Sequence, residues 1–212
     1  MCHRFLQALV VVVCLVMLNV NANGQKPNRK FEVGGLVTVI SLNDFPSRIF
    51  PGSPGDSGVG GFGGRFSYNI NDNFALDTEG SFFPKRQFDS EELGQKVQGF
   101  AGIKAGIRKK SFGVFAKARP GVMWFGDLPS IGDCDITSLT SICRISHDKN
   151  FALDLGGVIE FYPSDRLIIR GDIGDTLIRY QSRVVGPFTA PVVLSAATKN
   201  NLQLSFGVGW RF

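Results

Sequence analysis

Apolar and polar side chains alternate along most of this chain, and they do so in eight separate stretches. The stretches cover residues 31–42, 58–70, 74–83, 96–108, 112–125, 151–162, 167–180 and 201–212. A period of two is the signature of a β-strand, because successive side chains leave the backbone on opposite faces. The last stretch shows it most cleanly. Leu202, Leu204, Phe206, Val208, Trp210 and Phe212 share one face; Asn201, Gln203, Ser205, Gly207, Gly209 and Arg211 share the other. In the sixth, Phe151, Leu153, Leu155, Ile159 and Phe161 oppose Ala152, Asp154, Gly156 and Glu160.

The connections are sorted by length. Segments 43–57, 84–95, 126–150 and 181–200 are long, whereas 71–73, 109–111 and 163–166 are short, and the two kinds alternate strictly. Consecutive antiparallel strands then gather every long loop at one end and every tight turn at the other. That is the plan of an up-and-down transmembrane barrel. A soluble sandwich has no reason to sort its loops so. The strands also meet the 9–11 residues or so that a tilted strand needs to cross a bilayer. The fold class expected is therefore all-β, an eight-stranded antiparallel up-and-down transmembrane β-barrel.

The polar faces decide which side looks inward. With the apolar faces turned to lipid, the lumen receives Glu32, Arg65, Asp77, Glu79, Lys104, Arg108, Lys117, Arg119, Asp154, Glu160, Arg170, Asp172 and Arg211. Acidic and basic strands alternate around most of the barrel, so opposite charges can pair. Buried charges are tolerable only when paired and hydrogen-bonded. Eight strands leave an interior just wide enough for side chains. The expectation is a salt-bridged plug, not an open channel.

Aromatic residues mark the strand ends. Phe31, Tyr68, Phe74, Phe112, Phe161 and Phe212 fall toward the tight turns, and Phe82, Trp124, Phe151 and Tyr180 toward the long loops. Two such groups read as interfacial girdles. Pro120 cannot donate a ladder hydrogen bond, so a bulge is expected there. Asp175 falls on the lipid face, late enough in its strand to lie at the outer interface.

Composition adds limits. With 19 Phe and 26 Gly, the chain is neither disordered nor helical in character. The net charge of +5 comes from scattered Lys and Arg with no basic run, which argues against a nucleic-acid partner. Residues 1–22 read as a signal peptide: Arg4, then an apolar run from Phe5 to Leu18, then small residues that place cleavage as late as 24. A polar leader, 23–30, precedes the barrel domain, 31–212. After export only Cys134 and Cys143 remain, and in an oxidising compartment such a pair is expected to form a disulfide, with free thiols the alternative. No Cys/His pair suggests a metal site.

The signal segment, the eight alternating strands and a final strand closing on Phe212 resemble the small outer-membrane β-barrel proteins, OmpA/OmpX-like within the porin-like superfamily. The stretch GVGGFGGRFSYNINDNFALDTEGSFFP, Gly58 to Pro84, is similar to that family's second and third strands. LDLGGVIEFYPSDRLIIRGDIGD, Leu153 to Asp175, is also similar to it. The resemblance implies an outer membrane location, lipid and lipopolysaccharide around the barrel, and assembly machinery that reads a terminal aromatic strand, here Trp210 and Phe212. No peptidoglycan-binding domain is expected after the last strand, because the chain stops there.

Catalytic chemistry finds little support. His147 beside Ser146 lies in a long polar loop, a poor base and nucleophile pair. Asp133 and Asp135 lack calcium-loop spacing. Gly60 to Gly64 sits within a strand and is not a phosphate loop. No cofactor is expected. Loops 126–150 and 181–200 are the best candidates for contact with a surface ligand. In the second, Val184, Val185, Phe188, Val192, Val193 and Leu194 suggest strands that continue above the membrane. The leading reading is a non-enzymatic outer-membrane barrel, a structural component or a surface-recognition protein. A narrow pore for small solutes, a lipid-modifying barrel enzyme and a soluble lipocalin-like carrier are the alternatives.

Overall fold

A computed structural model describes residues 29–43, 56–84, 86–88, 91–135, 142–185 and 192–212. In chain order the strands are β1 (Phe31–Asn43), β2 (Asp56–Asn69), β3 (Phe74–Phe83), β4 (Arg86–Phe88), β5 (Glu91–Leu93), β6 (Lys96–Arg108), β7 (Phe112–Asp135), β8 (Ile142–Phe161), β9 (Leu167–Tyr180), β10 (Arg183–Val185), β11 (Val192–Leu194) and β12 (Ala197–Arg211). Eight of them close into a barrel in the order β1-β12-β9-β8-β7-β6-β3-β2. Every neighbouring pair is antiparallel. The seam is shut by reciprocal bonds between Phe31 and Phe212, at 3.0 and 2.9 Å. Closure leaves no row of unpaired backbone groups, which lipid could not satisfy.

Short polar side chains make the tight turns. Asn71 Oδ1 accepts from the backbone N–H of Asn73 and of Phe74, both at 2.8 Å. Ser164 Oγ does the same for Leu167 N–H at 3.1 Å. Each replaces a backbone acceptor where the chain reverses.

Two connections differ from expectation, and in a third the strand structure expected above the membrane is present. Segment 126–150 is no long open loop: β7 continues to Asp135 and β8 begins at Ile142. The register shifts between Phe125 and Leu128 and again between Pro129 and Cys134, so the alternation there is broken by irregularities. Segment 84–95 carries the β4–β5 ladder. Segment 181–200 carries the separate β10–β11 ladder, and β12 starts early, at Ala197.

Pro120 is a further correction. The β6–β7 ladder skips the pairs around it, yet the register is the same on both sides, with Phe100 opposite Gly121 and Ile103 opposite Ala118. No residue is inserted. The missing N–H interrupts one ladder, while Pro120 stays in register with Leu153 on β8.

Strand approach is close inside the barrel at Gly156, which faces Gly174. A Cβ on Gly156 would collide with the Ile173 carbonyl and lie 2.5 Å from the Gly174 Cα. Gly156→Val is expected to cost ~1–3 kcal/mol through overpacking, measured as a lowered unfolding midpoint in detergent; unchanged stability would mean that these strands are farther apart.

Candidate functional site: the filled interior

The apolar face is the outer face. Ile159 is 62% exposed, Val37 59% and Phe206 56%, while Asp77, Arg119 and Glu160 are inaccessible. That inversion is the mark of a barrel whose surroundings are lipid.

All thirteen charged residues of the polar faces project inward. Their pairing reaches across the lumen as well as between neighbours. Asp77 on β3 meets Arg170 on β9 at 2.9 Å and Arg119 on β7 at 2.9 Å. Arg119 also binds Glu79 at 3.0 Å and Asp154 on β8. Arg170 holds Asp172 on its own strand at 2.7 Å. Arg65 reaches Asp172 at 3.1 Å, and Lys117 holds Asp154 at 2.9 Å. Asp77, Asp154 and Asp172 each share two or more cations, whereas Glu79 takes Arg119. That sharing is what makes burial of so many charges bearable.

A second group closes the tight-turn end. Glu32 takes Lys104 and Arg108, each at 3.1 Å, and Arg211 at 3.3 Å. Lys104 and Arg108 both also face Glu160. Residues that parity alone would have flagged complete it. Asn69 donates to Glu32 at 2.8 Å and accepts from Arg108 at 3.0 Å. Tyr162 donates to Glu160 at 2.7 Å and accepts from Arg108 Nε at 3.0 Å. Its hydroxyl thus ties Arg108 to Glu160.

The upper part of the lumen is a correction to the uniform charged plug. Toward the long loops the interior holds Ile40, Leu42, Val59, Phe83, Phe100, Met123, Phe125, Ala152, Ile178 and Tyr180 packed as one cluster. Tyr180 therefore belongs to the interior, not to the outer aromatic girdle. It shares the parity of Arg170 and Asp172, and its ring lies 6.0 Å from that of Phe125. Lys96 is also buried at this end, donating to the Gly94 carbonyl at 3.2 Å. It too follows the inward parity of its strand, with Gln98 and Lys104.

Other expected positions separate from this interior. Asp175 points outward near the long-loop end and accepts from Asn200 at 2.7 Å. Trp210 and Phe212 lie on the outer face of the last turn of the barrel, about half exposed. The side chains of Ser146, His147, Asp133, Asp135, Cys134 and Cys143 lie outside the described residues, as does the whole of 1–28. The backbone of β7 and β8 does place Cys134 opposite Cys143 in register. Among the described residues, no group of three or more His, Cys, Asp or Glu is arranged to hold a metal ion.

A closed, lipid-facing barrel with a filled, ion-paired interior defines an integral membrane β-barrel. The sequence profile of the outer membrane protein β-barrel domain matches residues 10–212, and the chain belongs to that family. Several solved structures are similar to the chain. Neisserial surface protein A matches with a TM-score of 0.56 at 13% identity, over 86% of this chain and 97% of that one. The N-terminal β-barrel domain of Pseudomonas aeruginosa OprF matches with a TM-score of 0.46 at 12% identity, over 85% and 97%. The attachment invasion locus protein Ail of Yersinia pestis, in complex with the heparin analogue sucrose octasulfate, matches with a TM-score of 0.47 at 13% identity, over 86% and 97%. No curated protein sequence matches the chain.

Proposed function

We propose that this outer-membrane barrel is non-enzymatic and non-conducting, a structural component of the membrane that meets surface ligands through its long-loop end. The observation that carries this reading is the interior, where an ion-paired lower half lies beneath an apolar upper cluster. Ion-paired side chains fill the lower lumen, and a crossing ion would have to displace them. Lipid and lipopolysaccharide surround the barrel in this reading. The assembly machinery engages the terminal strand at Trp210 and Phe212. Segments 126–150 and 181–200 present the recognition surface, with Cys134 and Cys143 bonded to staple the first of them.

Planar-bilayer recording on the purified protein tests the reading. No unitary conductance is expected in the native protein. Regular steps of current would favour the narrow pore instead. Loss of a lipid-modifying activity in His147→Ala would favour the enzyme. The staple has its own check: intact mass before and after reduction should differ by about two hydrogen masses, and an unchanged mass would mean free thiols.

A further inference from the structure

The tight-turn end carries a feature that the filled interior does not use. Lys30, Lys109, Lys110 and Arg166 are exposed there, against only Asp72 and Asp165 among the exposed acids of the same turns. Among the described residues, none of these four side chains enters a salt bridge, in contrast to the cations of the lumen just above them. Lipid-facing Phe112, Phe161 and Trp210 stand at the strand ends that border these turns.

The β6–β7 turn is the best formed part of this rim. Lys109 N–H donates to the Phe112 carbonyl at 2.7 Å, which puts Lys110 and Ser111 at the tip. Tyr162 N–H donates to the Ser111 carbonyl at 2.9 Å and ties the tip to the end of β8. Immediately above, Phe112 and Phe161 are opposite each other in register, 50% and 52% exposed on the lipid face. Around the rim Arg166 lies over the Trp210 ring, 5.9 Å from its centroid. Two neighbouring ammonium groups below a paired aromatic surface match a molecule with an anionic head and apolar chains.

We propose that this rim, centred on Lys109 and Lys110, docks the phosphate headgroups of anionic phospholipids in the membrane leaflet on the tight-turn side. The acyl chains lie against Phe112 and Phe161, whose rings occupy the depth where aromatic girdles meet headgroups. A lysine near an anionic membrane surface contributes about fivefold to lipid preference, so the pair contributes roughly 25-fold. The docked lipids hold the barrel at a fixed depth and couple its tight-turn end to the charge of that leaflet. The inference rests on the barrel being lipid-embedded.

The test is native mass spectrometry of the folded protein released from detergent micelles. The micelles carry phosphatidylglycerol or phosphatidylcholine of matched acyl chains. The native protein is expected to retain phosphatidylglycerol preferentially. Lys109→Gln/Lys110→Gln should lower that preference roughly 25-fold, and Arg166→Gln alone about fivefold. Equal retention of both lipids by the native protein, or an unchanged preference in the double variant, would overturn the proposal. Gel mobility before and after boiling, run on each sample, separates that outcome from failure of the barrel itself. A variant that keeps its folded-form mobility yet loses its preference has lost only the lipid site.

Discussion

Phe206→Arg is expected to destabilise the protein in lipid vesicles by about 2–4 kcal/mol, because it places a guanidinium near the bilayer midplane. Phe206 lies midway along the membrane-crossing part of β12, on the outer face, opposite Val37 on one side and Gly171 on the other. Its exposure of 56% means that the substitution disturbs little packing inside the protein. The cost is thus a cost of meeting hydrocarbon. In a water-soluble barrel the same exposed position would tolerate arginine within about 0.5 kcal/mol. Thr198→Arg supplies the comparison, since Thr198 is exposed on the same strand near the long-loop interface. There the cost should be about 0–1 kcal/mol. Equilibrium unfolding in vesicles, followed by the fluorescence of Trp124 and Trp210, reads both. Equal and negligible costs at the two depths would remove the lipid from the account.

Arg170→Met should cost as much or more, about 3–5 kcal/mol, for the opposite reason. Arg170 is the cation on which Asp77 and Asp172 converge, at 2.9 and 2.7 Å. Methionine fills similar space but leaves both carboxylates short of a partner in a site sealed from water. Removing the charge on the other side as well should recover part of the loss, so Arg170→Met/Asp77→Asn is expected to be more stable than Arg170→Met alone. Recovery will be incomplete, because Asp172 still loses a donor and Arg119 loses one of its three carboxylates. Additive costs in this cycle would mean that the two side chains do not act as a pair.

Much of this architecture can be read from alternation alone. The barrel portions of the eight strands lie within a few residues of the periodic stretches, because one face must meet hydrocarbon and the other must not. A single register step would exchange the two faces of a whole strand. The same rule assigns Lys96 and Tyr180 to the interior. An aromatic near a strand end invites assignment to the girdle, yet the parity that Tyr180 shares with Arg170 points it inward. The apolar cluster was harder to see. In β1 both faces are apolar toward the long loops, with Val37 and Val39 outside and Ile40 and Leu42 inside, so local polarity changes where alternation does not. Nor does strand order foretell ion-pair partners. Asp77 meets Arg170 across the lumen, a contact set by strand tilt and side-chain length. The extensions of β7 and β8 were hidden by the register shifts after Phe125 and Pro129, which break the period-two pattern and read as loop.

The chain forms a closed barrel of the outer membrane with its apolar face turned to lipid. Gel mobility of the protein in an isolated outer-membrane fraction, unheated and boiled, tests it most directly. A closed, fully hydrogen-bonded barrel resists detergent until heated, so the unheated protein should run as a compact, faster band that shifts on boiling. A single band of unchanged mobility, with the protein recovered in the aqueous fraction, would contradict the claim and turn the apolar face inward.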